Sequence, residues 1–157
     1  MSSRWAWRWS SAAVELLPAA RFASLDSMVI SAALLEEVVD HAHEDAPNEC
    51  CGMIASEQGR AVRVYRATNA AASPLRYEID GLEQYRIQMD IEDSGWELGA
   101  IYHSHTRSAP YPSQTDINLA FYPESLYLIV GVTGDRAETR AYRIVDERVQ
   151  EVGLDVQ

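Results

Sequence analysis

Residues 101–116 read IYHSHTRSAPYPSQTD. They predict a strand that ends in His103 and His105, a loop with two prolines, and a helix that begins near Ser113 and Asp116. Residues two apart on a strand point to the same face, so both imidazoles can reach one ion. Ser113 and Asp116 are i and i+3 at a helix start and also share a face. The stretch therefore predicts a place where two imidazoles and one carboxylate meet.

Two histidines and one carboxylate form a ligand set that suits zinc, with the fourth position left open for water. Zinc would lower the pKa of that water to about 7, so that it is reactive at neutral pH. Hydrolysis would then need a carboxylate base that takes the proton and passes it to a leaving amine. Glu49 is the best candidate, because it opens a predicted buried strand and is better fixed than the surface acids.

Each of these residues also has an ordinary interpretation. His103 and His105 could be polar residues at a strand edge, and Ser113 with Asp116 could form a capping box. Glu49 alone could be a charged residue before a strand. The combination of all of them, in one order and able to face one point, favours a metal site over the separate explanations.

The spacing resembles the JAMM motif of the MPN-plus metallopeptidases, which places a glutamate upstream of His-x-His, seven residues, Ser, two residues and Asp. The resemblance implies that His103, His105 and Asp116 bind zinc. It also implies that Glu49 is the general base and that Ser113 helps to hold the oxyanion of the tetrahedral intermediate. The implied fold is an α/β (α+β) domain of the MPN/JAMM, cytidine-deaminase-like type, with a mixed, largely antiparallel sheet flanked by helices.

Further segments are similar to the compact bacterial Mec-type branch of that family. They are NECCG at 48–52, YHSHT at 102–106, YPSQTD at 111–116, the positions Asn69, Ser73-Pro74, Tyr77 and Asp80, and YRI at 142–144. JAMM peptidases typically cut after the C-terminal glycine of a ubiquitin-like protein. Mec-type members remove a C-terminal cysteine from a ubiquitin-like sulfur carrier, so the resemblance implies that substrate and a role in cysteine synthesis.

Three other functions stay open. A JAMM isopeptidase would release another ubiquitin-like protein from a conjugate, and a JAMM-fold hydrolase could act on a small peptide or amide. A catalytically silent MPN scaffold would only bind partners, but such scaffolds usually lack ligands, and all the motif residues are intact here. The short chain leaves little room for insertions that grip a large conjugate, which favours a small leaving group such as free cysteine.

Composition narrows the class of protein and its partners. The chain of 157 residues is 47% hydrophobic, which predicts one globular domain. A formal net charge of -11 argues against nucleic acid as a partner, and no apolar run is long enough to span a membrane. All 13 basic residues are arginine, so Schiff-base and P-loop chemistry are excluded. The oligomeric state stays open, a homodimer included.

The two cysteines, Cys50 and Cys51, are adjacent and point to opposite faces of a strand, so they predict no disulfide and a cytoplasmic location. We expect both to be small apolar core residues; the alternatives are extra metal ligands or a redox function. Residues 1–27 differ in composition from the predicted domain, residues 28–157. They predict a disordered extension or a mispredicted start, with a docking strand or partner-binding tail as the alternative.

The remaining pattern predicts helices and strands in alternation. The predicted helices run from Met28 to just before Pro47, from Gly81 to Ser94, and from Asp116 to just before Pro123. The predicted strands are the apolar centre of 48–56, then 60–68, 76–80, 97–105, 125–132, 139–145 and 149–156. His41 and His43 are two apart on the first helix, too far around it to bind one metal, and are predicted to be solvated near its C-terminus.

Overall fold

Seven strands close into a barrel in the computed structural model, which describes residues 26–157. The elements, in chain order, are β1 (Ser27–Ile30), α1 (Ala32–Asp45), β2 (Cys51–Glu57), β3 (Arg60–Ala67), α2 (Gly81–Asp93), β4 (Glu97–His105), α3 (Gln114–Asn118), β5 (Leu126–Thr133), β6 (Arg136–Val145) and β7 (Arg148–Val156). The strands are ordered β1-β3-β2-β4-β5-β6-β7, and β1 also pairs with β7.

The sheet is mixed. Strand β1 pairs in parallel with β3 and β7, and β4 pairs in parallel with β5, whereas the other four pairs are antiparallel. The predicted α/β (α+β) class with a mixed, largely antiparallel sheet and flanking helices is confirmed. Closure of that sheet into a barrel was not predicted.

Strand β4 lies between β2 and β5 and is buried on both faces. Ala100 and Tyr102 face the hydrophobic cluster that α1 covers, and Ile101 faces the cluster that α2 covers. Apolar side chains therefore alternate between two cores along the strand, and the two histidines follow where it ends. Packing against these two cores holds the C-terminal end of β4 in place.

The two adjacent cysteines separate into these two cores. Cys50 belongs to the cluster under α1 and Cys51 to the cluster under α2, and both thiols are free and fully buried. Burial raises the pKa of each thiol to about 12. The prediction that they are core residues is confirmed.

The predicted first helix begins later than the sequence indicates. Met28 and Ile30 are buried with Val29 less so, as on a strand, and Met28 pairs with Leu154 of β7. Helix α1 starts only after Ser31, whose Oγ accepts a hydrogen bond of 3.2 Å from the backbone of Leu34. The prediction of helix at 28–30 is wrong because the partner strand lies at the other end of the chain, where local periodicity cannot reveal it.

His41 is buried, although the sequence predicts that it is solvated. It is 6% exposed, its Nδ1 lies 2.8 Å from the Tyr102 hydroxyl, and its Nε2 lies 3.4 Å from the Asp45 carboxylate. Burial lowers the pKa of His41. The helix pattern misses this contact because Tyr102 arrives from β4. His43 is exposed in the last helical turn, as predicted.

Two further predicted elements are shorter than expected. The strand at 76–80 is only one bridge, between Asn69 and Ile79, because the Asn69 side chain takes up backbone groups of Arg76 and Glu78. Helix α3 ends at Asn118, well before Pro123.

Within residues 26–157, no helix combines the length and apolar character needed to cross a membrane. The predicted boundary between 1–27 and 28–157 stays a prediction, since residues 1–25 lie outside the described part.

Candidate metal centre

His103, His105 and Asp116 meet at the C-terminal end of β4. The Nε2 atoms of the two histidines are 3.1 Å apart, and Asp116 Oδ2 lies 3.3 Å from His103 Nε2 and 3.2 Å from His105 Nε2. Donors bound to one tetrahedral zinc ion at about 2.0–2.1 Å are separated by about 3.3 Å. The donor set and its spacing therefore fit zinc.

His105 is held by the segment that follows β4, residues 106–112, called here the proline loop. Its Nδ1 lies 2.8 Å from the Ala109 carbonyl oxygen and 3.2 Å from Ser108 Oγ. The carbonyl requires a proton on Nδ1, so the neutral imidazole carries its lone pair on Nε2, where a metal ion would bind. Burial opposes protonation of His105, but the contacts with Asp116 and Ala109 raise its pKa.

The proline loop is fixed by two hydrogen bonds, one to the segment before β2 and one to β6. Thr106 Oγ1 donates a hydrogen bond of 2.8 Å to the Pro47 carbonyl, and the Tyr142 hydroxyl donates one to the Pro110 carbonyl. Pro110 also packs against Gly131 of β5, where a Cβ would lie 2.8 Å from Pro110 Cδ. A glycine at 131 therefore lets the loop lie close to the sheet.

His103 is held differently. It is 1% exposed, and its ring stacks on Tyr77 with centroids 4.5 Å apart and an angle of 21° between the planes. Its Nδ1 has no hydrogen-bond partner among the described residues. Burial lowers the pKa of His103, which keeps the imidazole neutral and able to bind a metal. Stacking replaces the hydrogen bond that usually orients such a ligand.

Asp116 is oriented by the start of α3. Its Oδ2 accepts a hydrogen bond of 2.7 Å from the backbone of Ser113, and Ser113 Oγ accepts one of 3.1 Å from the backbone of Asp116. This is the capping box that the sequence offered as the ordinary interpretation of the two residues, and it also directs the carboxylate towards both histidines. Burial works against ionisation, but the contacts with the histidines and Ser113 hold the pKa of Asp116 well below its usual range.

Glu49 lies just before β2 and is 4% exposed. The β2–β4 register pairs Cys51 with His103, and its continuation by two residues places Glu49 opposite His105. Burial raises the pKa of Glu49 to about 7; His105 works against this rise and Asp116 adds to it. Its Oε2 has no hydrogen-bond partner among the described residues. A carboxyl group that exchanges a proton near neutral pH thus borders the three donors.

Asn69 fixes the backbone of Glu49. Its Nδ2 donates hydrogen bonds of 2.9 Å to the Glu49 carbonyl and 3.0 Å to the Arg76 carbonyl, while its Oδ1 accepts from the backbones of Ala71 and Glu78 at 3.0 and 3.1 Å. The backbone of Glu49 also donates 2.9 Å to the Ser73 carbonyl. Residues 69–80 are called here the Asn69 loop. Because this loop holds the backbone of Glu49 and also contains Tyr77, it fixes the two residues relative to each other.

The structure thus brings Glu49, His103, His105 and Asp116 to one place, with Ser113 exposed at its edge. In the sequence, Asn69 and Tyr77 only match positions of the Mec-type branch, and no role is predicted for either residue. Their isolated motif positions could have suggested a loop near the site, but not the side-chain contacts. Chemically, the arrangement can hold a divalent ion beside one buried carboxylate base.

The comparisons with known proteins agree with this geometry. Residues 31–145 match the family described as prokaryotic homologs of the JAB domain. The chain belongs to this family. It is 41% identical to the CysO-cysteine peptidase of Mycobacterium tuberculosis over 82% of this chain and 90% of that protein. The sequence-based prediction of a JAMM-type peptidase resembling the Mec branch is confirmed, and the protein is a hydrolase of the JAMM family.

Two other relatives extend the comparison. A desampylase of Haloferax volcanii is 36% identical over 63% of this chain and 76% of that protein. A JAB1/MPN domain protein of Archaeoglobus fulgidus has a similar fold, with a TM-score of 0.57, 19% identity, and coverage of 82% of this chain and 98% of that one. The barrel described above is therefore the JAB1/MPN fold.

Proposed function

We propose that this protein is a zinc-dependent peptidase that hydrolyses the bond after the C-terminal glycine of a ubiquitin-like sulfur carrier and releases cysteine. The observation that carries the proposal is the meeting of three candidate metal donors with one buried carboxylate, whose Oε2 has no hydrogen-bond partner among residues 26–157. The substrate is inferred from the similarity to a CysO-cysteine peptidase over 90% of that protein's length. Two reduced, buried cysteines favour a reducing compartment, so we place the reaction and its role in cysteine synthesis in the cytoplasm.

In this proposal His103, His105 and Asp116 hold the zinc ion. Zinc bound there would act as a Lewis acid and make water easier to ionise at neutral pH. Both imidazoles present Nε2 to the site, and Asp116 contributes the one negative charge of the set. Burial of the two histidines strengthens the electrostatic interactions at the site.

Glu49 is the proposed general base. Its free Oε2 would take a proton from the attacking water and deliver it to the nitrogen of the leaving amine. Burial raises the pKa of Glu49, which strengthens this carboxylate as a proton acceptor. Asn69 and Ser73 hold its backbone in place during this exchange.

Ser113 is proposed to stabilise the oxyanion. Its Oγ accepts a hydrogen bond from the backbone of Asp116, which leaves the hydroxyl hydrogen available to a substrate oxygen. Its exposure at the edge of the site permits that contact. Removal of such a donor typically costs a few kcal/mol of transition-state stabilisation.

An intact-mass measurement tests the proposal. The zinc-loaded protein is mixed with a ubiquitin-like sulfur carrier that bears one extra C-terminal cysteine. We expect the carrier to lose the mass of one cysteine residue, and a chelator to prevent that loss. An unchanged carrier, with zinc shown to be bound, would refute the cysteine-releasing function while leaving the metal site intact.

A second candidate function is removal of a ubiquitin-like protein from a lysine-linked conjugate. It is supported by the similarity to a protein named desampylase. The same assay with an isopeptide conjugate separates the two candidates: rapid cleavage of the conjugate, without action on the cysteine adduct, would favour the second. A protein that purifies without metal and cleaves neither substrate would instead be a binding scaffold.

A further inference from the structure

Two hydroxyl groups alternate with the two histidines at the end of β4. Residues 103–106 read HSHT, and successive side chains of a strand point to opposite faces. His103 and His105 therefore share the face on which the metal donors meet, whereas Ser104 points to the other face and is fully buried. Thr106 follows directly after the strand. Both hydroxyl groups make hydrogen bonds to the segment that carries Glu49.

Ser104 takes part in an irregular last rung between β2 and β4. Its backbone N–H donates a hydrogen bond of 3.1 Å to the Cys50 carbonyl, as in a hydrogen-bonded pair of an antiparallel ladder. In a regular pair of this kind, the Cys50 N–H would donate in return to the Ser104 carbonyl. It donates instead to Ser104 Oγ at 2.8 Å, and β2 begins only at the next residue. A buried side chain thus completes the ladder immediately beside Glu49.

Thr106 adds a second hydrogen bond to the same segment. Its Oγ1 donates 2.8 Å to the Pro47 carbonyl, so the two hydroxyl groups of β4 and its end hold positions 47 and 50. Glu49 lies between these positions, and its own N–H and carbonyl are bound by the Asn69 loop. The backbone around Glu49 is therefore held from two sides, whereas its Oε2 has no hydrogen-bond partner among residues 26–157.

We propose that Ser104 and Thr106 are positioning residues for the general base. The proposal rests on the function proposed above, in which Glu49 exchanges protons beside the metal ion. The histidines of residues 103–106 bind the ion, and the hydroxyl groups of the same four residues set the place of the base relative to it. This matters for the rate, because a displacement of about 1 Å in a catalytic arrangement can cost about 10²-fold.

The burial of Ser104 separates this role from substrate binding. Its side chain is 0% exposed, so it cannot contact a bound carrier. A residue that acts only through the base should affect kcat and leave KM unchanged. Loss of its hydroxyl would also leave the buried Cys50 N–H without its acceptor, which frees the residue next to Glu49 to move.

The first test is kinetic and uses the zinc-loaded protein with the carrier that bears a C-terminal cysteine. Ser104→Ala should lower kcat about tenfold to hundredfold, while KM and zinc content stay those of the wild type. Thr106→Val keeps the shape of the side chain but loses the donor, and should lower kcat about twofold to fivefold because that hydrogen bond is exposed. Ser104→Thr and Thr106→Ser keep the hydroxyl groups and should recover part of the loss.

Ser125→Ala is the matched control. Ser125 is 5% exposed, and its Oγ donates a hydrogen bond of 2.8 Å to the Leu98 carbonyl, near the other end of β4. The variant therefore removes a serine–backbone hydrogen bond from the same strand, far along it from the histidines, and should leave kcat unchanged. An equal loss of kcat in Ser104→Ala and Ser125→Ala would overturn the proposal, because any weakening of β4 would then suffice.

The Glu49→Gln background shows whether Ser104 acts through the base. In that background Ser104→Ala should slow the residual reaction by less than about twofold, measured with enzyme in excess, because no base is left to position. A tenfold loss in both backgrounds, or loss of zinc from Ser104→Ala, would overturn the proposal, since the serine would then hold the metal donors instead.

Hydrogen exchange in the metal-free protein tests the same contact without catalysis. The Cys50 amide should exchange at least about tenfold faster in Ser104→Ala than in the wild type, and at the wild-type rate in Ser125→Ala. Equal exchange in Ser104→Ala and the wild type would overturn the proposal. Failure of the wild type to cleave the carrier would instead refute the cysteine-releasing function, and the exchange rates would still decide whether Ser104 holds the segment around Glu49.

Discussion

The two loops that border the metal centre hold it by different means. The Asn69 loop is organised by one buried amide that makes hydrogen bonds to five backbone groups, and it fixes Glu49 and, through Tyr77, His103. The proline loop relies on packing against Gly131 and on contacts at its ends, and it fixes His105.

This difference predicts how well each of the two loops tolerates a single substitution. A buried polar centre is costly to break, because each lost partner leaves a desolvated group without a hydrogen bond. A loop held by packing and prolines depends more on shape than on any one donor. We therefore expect single substitutions to disturb the Asn69 loop more strongly than the proline loop.

The largest effect is expected at Glu49, the proposed general base, whose backbone the Asn69 loop holds. Glu49→Gln keeps the size of the side chain but removes the proton acceptor, so turnover should fall about 10²–10⁴-fold. Zinc content should stay at one ion per chain, because Glu49 is not one of the three donors. Steady-state kinetics and metal analysis check both points. A variant with near-full activity would show that Glu49 is not the base.

The second prediction breaks the Asn69 loop itself. Asn69→Ala leaves the Glu49 and Arg76 carbonyls and two backbone N–H groups without their partner, and should lower the free energy of unfolding by about 2–4 kcal/mol. Urea denaturation of the metal-free protein measures this loss.

The control for Asn69→Ala lies in the same loop. Ser73→Ala removes only an exposed hydrogen bond of 3.1 Å from the backbone of Leu75, and should change stability by less than about 0.5 kcal/mol. If both variants unfolded at the same urea concentration as the wild type, the buried amide would not be what holds the loop.

The contacts that hold the two loops also explain which parts of the site could be predicted from the sequence. The meeting of the three candidate metal donors was predictable because the geometry at each end is local: the histidines are i and i+2 on one strand, and Ser113 with Asp116 forms a capping box. The role of Asn69 was not predictable, because its partner Glu49 lies far from it in the sequence and becomes a neighbour only in the folded chain. Strand β1 was mistaken for helix for the same reason, since its partner Leu154 is near the other end of the chain.

The third prediction tests the packing of the proline loop. Gly131→Ala places a Cβ 2.8 Å from Pro110 Cδ, and a proline ring yields little, so we expect a loss of about 1–3 kcal/mol in unfolding free energy. Gly81→Ala is the matched control, because a Cβ there meets no atom within 4 Å and alanine favours the helix that begins at this residue. A Gly131→Ala variant as stable as Gly81→Ala would show that the loop does not depend on this close approach.

The smallest effect is expected where the Asn69 loop reaches His103. Tyr77→Leu removes the aromatic face on which His103 stacks, while the imidazole Nδ1 has no hydrogen bond to hold the ring in its place. Stacking of this kind is worth about 0.5–1.5 kcal/mol, so zinc affinity should fall about threefold to tenfold. Competition with a chromophoric chelator measures that change directly, without reference to catalysis.

Tyr77→Phe separates the contribution of the aromatic ring to zinc affinity from that of the hydroxyl group. Phenylalanine keeps the stacking face, so its zinc affinity should match that of the wild type. Equal affinity in the leucine and phenylalanine variants would mean that burial alone orients His103. A large loss in both would mean that the tyrosine hydroxyl orders the Asn69 loop. Only a loss confined to the leucine variant fits a ligand held by stacking, beside a second ligand, His105, held by a hydrogen bond to the Ala109 carbonyl.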